Sequence, residues 1–225
     1  MTVEILINVA PAETRAALVE EGVVQELYVE RRNRRGLVGN LYQGRVTRVL
    51  PGMQAAFIDI GLERTAFLHA ADVVGPPPEE TVVGLAALGA PPVDDVRRLL
   101  SPGEDILVQV IKDPIGTKGA RLTTYITLPA RFLVYLPRGD GIGVSARIED
   151  EAERQRLKAA VAQLRGAEAD GGYILRTAAQ GAGVESLRED MEYLRKLWSH
   201  VRGRVIQASA GALERSKPRR FGARS

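Results

Sequence analysis

The sequence predicts an α+β chain built around a small closed β-barrel. Three observations carry this. Between residues 39 and 128, short β-leaning runs alternate with tight Pro-Gly and Gly-rich turns. Two later stretches, 149–163 and 184–198, repeat apolar residues at helical intervals. The first thirty or so residues alternate in the strand manner and break at Glu21-Gly22, a hairpin pattern.

Residues 3–9 alternate as one strand, and TRAALVEEGVVQELYVER supplies the hairpin. The basic run RRNRRG at 31–36 reads as a joint to a second unit. NLYQGRVTRVL is then a strand with Pro51-Gly52 as its turn, MQAAFIDI the next strand, and 65–69 a short third. A long Pro/Gly-rich loop follows at 73–95. DILVQVIKD and RLTTYITL complete five strands, which fit an OB-fold barrel, with a β-sandwich as the competing architecture. RFLVYLP and GGYILRT read as further strands, and GDGIGVSARI as a glycine-punctuated loop between them. Leu157, Val161 and Leu164 mark one helix; Val184, Leu187, Met191, Leu194 and Trp198 mark another. Beyond Ser199 the periodicity fades and arginines dominate, so a basic, disordered tail is expected over 200–225.

Composition narrows the function classes. With 225 residues and 45% hydrophobic content, the chain can bury one sizeable core or two small ones. It contains no cysteine, which removes disulfides and thiolate metal sites, and its two histidines are too few and too scattered for a metal cluster. MTVEILINVAP lacks the basic start and apolar core of a signal peptide, and no apolar run reaches the roughly 20 residues a membrane helix needs. A cytoplasmic location is therefore expected. Net charge is only +3, but the positive charge is clustered, in RRNRR and again beyond Val201. Such clusters attract polyanions by counterion release, though a solvated surface accounts for a single cluster equally well.

Two constellations carry chemistry. Phe57 and Phe67 lie on predicted barrel strands among small and polar residues, where rings offer stacking platforms for unpaired bases. Lys118, in the turn GTKGAR, and Arg121 beside it can reach backbone phosphates. Each phenylalanine taken alone is more often core. The second constellation is GGYILRTAAQGAG at 171–183. Here an apolar strand ends in a guanidinium and a hydroxyl, then opens into small residues. Arg176 presents a planar fork matching two phosphate oxygens, and Thr177 adds a donor beside it. The alternative is a surface arginine paired with Glu185 or Asp190. GDGIGVS has the wrong glycine spacing for a dinucleotide loop, and the acidic pairs Glu79-Glu80 and Asp94-Asp95 read as solvated loop charge. No nucleophile elbow or catalytic carboxylate pair is recognisable.

The segments GNLYQGRVTRVLPGMQAAFIDIGLERTAFLHAADVVG, ILVQVIKDPIGTKGARLTTYITLPARFLVYLP, GIGVSARIEDEAERQRLK, GGYILRTAAQGAG and MEYLRKLW resemble, in order, the amino-terminal part of the ribonuclease E/G family. The resemblance implies a partial RNase H-like region at 1–35, an OB-fold of the ribosomal-protein S-one type inserted at 36–123, and a five-prime sensor, an α/β region, at 124–199. It implies a bacterial cytoplasmic endoribonuclease that cuts single-stranded RNA, prefers a five-prime monophosphate, and acts on rRNA precursors or mRNA. Carried over by position, Arg176 and Thr177 match the pair that binds the terminal phosphate. Val134 matches the apolar residue under the terminal base, and Ala130 a small residue near it. Phe57, Phe67 and Lys118 match the surface that grips the RNA. In the family, cleavage is carried out by a later DNase I-like domain whose two aspartates hold magnesium, and a zinc link built from cysteine pairs joins subunits into homo-oligomers. The residues of both are missing from these 225, and the text after Trp198 departs from the family pattern. The expectation is a truncated, split or frame-shifted member with RNA binding but without catalytic residues. The alternative is a non-catalytic OB-fold module of translation-factor type.

Overall fold

A computed structural model describes residues 2–32, 36–73, 95–166, 171–210 and 219–221. They fall into two compact units, Met1–Leu37 and Val38–Ser225.

The first unit is an antiparallel sheet of β1 (Val3–Val9), β2 (Glu13–Glu20) and β3 (Val23–Arg31), paired in that order. Glu21 and Gly22 both have positive φ, 49° and 77°. That is the pair of left-handed residues a two-residue hairpin needs to match strand twist. Register places Ile5, Ile7 and Leu18 on one face and Leu6, Ala17 and Leu27 on the other. Ile5, Leu6, Ile7 and Leu27 are all exposed. The strands make a plain antiparallel meander, and the RNase H-like reading of this segment rests on the resemblance.

The second unit opens with the barrel. Its strands are β4 (Leu41–Leu50), β5 (Ala55–Asp59), β6 (Ala66–His69), β7 (Asp105–Lys112) and β8 (Arg121–Thr123). They pair in the order β4-β5-β6-β8-β7, and β7 returns to β4 to close the ring. All contacts are antiparallel except β6–β8. Five strands closed in this order are consistent with an OB-fold, and closure removes the free edges a sandwich would keep. The short helix α1 (Val96–Leu99) lies between β6 and β7 in the chain. Alternate residues fill the interior: Val46, Ile58, Leu68, Val108, Val110 and Leu122 are buried. Gly119 permits the parallel pairing. A Cβ there would sit 1.9 Å from the Thr65 carbonyl oxygen, whereas glycine lets the Phe67 N–H reach the Ala120 carbonyl at 2.8 Å.

RLTTYITL, predicted as one strand, is split in two. β8 stops at Thr123, and the chain turns before β9 (Leu128–Pro129). Buried Gln109 bridges the break, donating to the carbonyls of Gly39 and Thr127 and accepting the Thr127 N–H at 2.9 Å. β9 begins a four-stranded sheet with β10 (Leu133–Leu136), β11 (Ile142–Val144) and β12 (Gly172–Leu175), ordered β11-β12-β10-β9 with β11 and β12 parallel. Two helices cover it. α2 (Glu151–Arg165) starts where the Asp150 side chain caps the Ala152 N–H, and α3 runs Val184–Ala210. Leu133, Tyr135, Tyr173 and Leu175 from the sheet share one core with Leu157 and Val161 of α2 and Leu187, Met191 and Leu194 of α3.

Two expectations are corrected. GDGIGVSARI, predicted as a loop, contains β11; three half-buried residues with a glycine at the centre are too few to show a strand period. The disordered tail expected over 200–225 is helical to Ala210, and Arg219–Phe221 forms β13, antiparallel to Leu41–Gln43 of β4. The apolar stripe of α3 does not end at Trp198. Val201 is buried and Val205 partly so, while Arg202 and Arg204 face outward, so charge on the outer side of one helix looked like its end. Apart from its first and last residues, the proline-rich loop read at 73–95 lies outside the described residues. Among them, no helix is long and apolar enough to cross a membrane.

Candidate nucleic-acid interface

The outer face of the barrel carries a row of side chains across all five strands. Phe57 on β5 stands opposite Phe67 on β6. Both are half-buried on strands whose flanking residues are fully buried, so the core alternative does not hold for either. Their ring centroids are 6.2 Å apart at 68°, an edge-to-face pair that leaves ring surface open. His69, two residues along β6, extends the cluster, with its ring 6.5 Å from that of Phe67. The His69 Nδ1 accepts the Ala71 N–H.

Register extends the row to cations at both ends. Arg48 of β4 pairs with Phe57; beyond Phe67 come Arg121 of β8 and then Lys112 of β7. Sequence reasoning missed Arg48 and Lys112 because a bulge places each. In unbroken alternation Val46 inward would make Arg48 inward, but the register shifts between Val46 and Arg48 and turns Arg48 to solvent. A second shift, between Val110 and Lys112, does the same on β7. Extra residues that re-aim a strand are the ordinary effect of a β-bulge, and a period-two pattern carries no signal for them. Arg121, predicted as a phosphate contact, is engaged with Asp72 at 2.9 Å. Lys118 lies off the row, exposed in a turn closed by reciprocal bonds between Ile115 and Lys118. Arg48, Lys112 and Lys118 have no carboxylate partner among the described residues.

The second constellation lies on the four-stranded sheet. Val134 of β10 stands opposite Ile174 of β12 and Pro129 of β9, all on the face away from the core. Arg176 follows β12 on that same face. Its N–H donates to the Phe132 carbonyl at 2.8 Å, and its Nη1 donates to the Ala130 carbonyl at 2.6 Å. Ala130, Val134 and Arg176 are thereby brought together. The carboxylates proposed as rival partners are used elsewhere. Asp190 accepts the N–H groups of Phe132 and Leu133 at 2.6 and 3.1 Å, and Glu185 pairs with Arg188. Arg176 is exposed, and its remaining donors meet no carboxylate among the described residues.

Thr177 is exposed in the one-turn helix that follows, with its hydroxyl 3.0 Å from that of Ser145. The loop beyond is anchored to α2. Glu153 accepts the Gly181 N–H at 2.8 Å, and Arg156 donates to the Ala182 carbonyl. The Arg156 guanidinium first, then the Gly181 N–H, hold the Glu153 carboxyl at about 2. Among the described residues, no three His, Asp or Glu side chains gather in a group that could hold a metal ion.

The described residues thus present an aromatic barrel face with flanking cations and, on the four-stranded sheet, an exposed guanidinium with no carboxylate partner among them. The sequence profile described as the Ribonuclease E/G family matches residues 127–219. That match runs past Trp198 and corrects the expectation that the family pattern stops there. Ribonuclease G of Escherichia coli K12 is 53% identical over 201 residues, 89% of this chain and 40% of that protein. Ribonuclease G of Haemophilus influenzae is 54% identical over 199 residues, and ribonuclease E of a Nostoc species is 39% identical over 208. The chain thus spans about two fifths of the length of these ribonuclease G relatives. By continuous similarity through both the barrel and the sheet that carries Arg176, the chain belongs to the ribonuclease E/G family.

Proposed function

We propose that this chain is the RNA-gripping part of an RNA-processing ribonuclease. It holds single-stranded RNA on the barrel and reads a five-prime monophosphate at Arg176 and Thr177. The observation that carries this is the transverse row Arg48, Phe57, Phe67, Arg121, Lys112. Bases stack on the two open rings, while cations on either side meet the backbone that leads to and from them. A duplex hides its base faces, so the row favours unpaired strands.

The second surface supplies the end recognition. The Arg176 contact to Ala130 fixes one limb of the guanidinium and leaves its other donors for an anion. Val134 and Ile174 provide an apolar floor on the same face for the terminal base. RNA-processing roles in rRNA maturation or messenger turnover follow the family reading, as does the first unit as the start of an RNase H-like region.

The test compares short single-stranded RNAs with a five-prime monophosphate or hydroxyl and a fluorophore at the three-prime end. A charge-assisted contact contributes about 1.5–3 kcal/mol, so the monophosphate RNA binds roughly 10- to 150-fold more tightly. Arg176→Ala removes that preference while leaving hydroxyl RNA bound. Equal affinity for the two RNAs in the unmodified protein sinks the sensing claim.

A further inference from the structure

We propose that Ser145 is a positioning residue: its hydroxyl donates to Thr177 and so directs the Thr177 proton outward, toward a terminal phosphate. The proposal rests on the five-prime-phosphate reading above and adds a residue to that site.

The fold puts the two hydroxyls at one level. β11 and β12 are parallel, with Val144 beside Leu175; Ser145 is the residue after β11, and Thr177 lies two past the end of β12. Ser145 is held from three directions. Its N–H donates to the Leu175 carbonyl at 2.8 Å, and its own carbonyl accepts from the Ile148 N–H at 3.1 Å and from Arg154 Nη1 at 2.8 Å. These bonds fix the backbone of this half-buried residue just beyond β11. Its Oγ lies 3.0 Å from Thr177 Oγ1.

Each hydroxyl has one proton to give. If Thr177 donates to Ser145, it meets an anion with lone pairs only, which repels. If Ser145 donates to Thr177, the Thr177 proton is released for a phosphate oxygen. A third contact favours the second arrangement by filling one of the two lone pairs on Ser145 Oγ. The Arg147 N–H donates to Ser145 Oγ at 3.3 Å, which occupies acceptor capacity there and polarises the Ser145 O–H toward donation. The bonds then run one way, from the Arg147 N–H through Ser145 and Thr177 to the anion. Ser145 acts through Thr177 and need not touch the phosphate.

The experiment measures the ratio of affinities for monophosphate and hydroxyl RNA in the full chain, for Ser145→Ala, Ser145→Thr, Thr177→Val, the double variant Ser145→Ala/Thr177→Val, and Arg176→Ala. Thermal melting accompanies each. Loss of the donor to the phosphate lowers the ratio about tenfold in Thr177→Val, and loss of the residue that directs it lowers the ratio roughly three- to tenfold in Ser145→Ala. Both variants weaken monophosphate RNA more than hydroxyl RNA. The double variant matches Thr177→Val alone, because nothing remains for Ser145 to direct. Ser145→Thr restores the ratio. Three results overturn the relay: an intact ratio in Ser145→Ala, equal weakening toward both RNAs, or additive losses in the double variant. If Arg176→Ala still abolishes the ratio, the sensing reading survives that failure. A protein with no monophosphate preference at all sinks both.

Discussion

Replacing Phe67 separates stacking from packing. The ring stands at the centre of the barrel row, 6.2 Å from Phe57 and 6.5 Å from His69. Edge-to-face pairs contribute about 0.5–1.5 kcal/mol beyond burial. Because Phe67 is half-buried on the outer face, its removal opens no closed cavity, and Phe67→Ala costs about 1–2 kcal/mol of stability. In a domain of this size that is a fall of roughly 2–8 °C in Tm. RNA binding loses more. One stacked base is worth about 1–3 kcal/mol, so affinity for a short oligouridylate falls about 5- to 150-fold. Phe67→Leu decides the cause. Leucine keeps apolar bulk but has no π face, so it retains most of the melting temperature yet binds RNA as weakly as alanine. Fluorescence anisotropy beside a thermal melt reads both. If Phe67→Leu holds RNA with the original affinity, the ring serves packing and the stacking argument fails.

The cations of the row differ in the salt dependence they confer. Each backbone contact contributes about 0.7 to the slope of log affinity against log salt for single strands, so Lys112→Ala lowers the slope by about that amount. Arg121→Ala lowers it less, because Asp72 at 2.9 Å already offsets that charge; titrations across a salt series compare the two. Asp190→Ala strands the N–H groups of Phe132 and Leu133 and costs about 1–3 kcal/mol in denaturant unfolding. It also loosens the turn whose Phe132 carbonyl receives Arg176, so the monophosphate preference declines with it. Glu153 titrates near 2, below its ordinary 4.5, so its contribution is complete above pH 4.5 and is lost as the pH falls through about 2. Melting curves of Glu153→Gln and the parent therefore differ by a constant amount from pH 5 to 8 and converge toward pH 2.

The barrel was legible because its strands bury one face, and alternate burial writes a period of two into the sequence. Phe57 and Phe67 fell on the outer phase of that pattern, where the structure places them. Arg48 and Lys112 were hidden because one inserted residue on each strand reverses the phase without changing composition. Arg176 and Thr177 stood out as polar residues ending an apolar strand, whereas Ser145 did not. Its importance comes from β11, whose parallel pairing with β12 joins residues 32 apart. α3 was cut short because Arg202 and Arg204 drew attention from Val201, which continues the buried stripe.

The antiparallel register of β13 with β4 brings Phe221 beside Leu41. Leu41, near the start of the second unit, and Phe221 are therefore neighbours, in a ribbon three residues long. β13 takes up the side of Leu41–Gln43 that β5 leaves open, because β5 pairs with β4 only from Arg45 onward. The start of β4 therefore has bonded neighbours on both sides, β7 on one and β13 on the other.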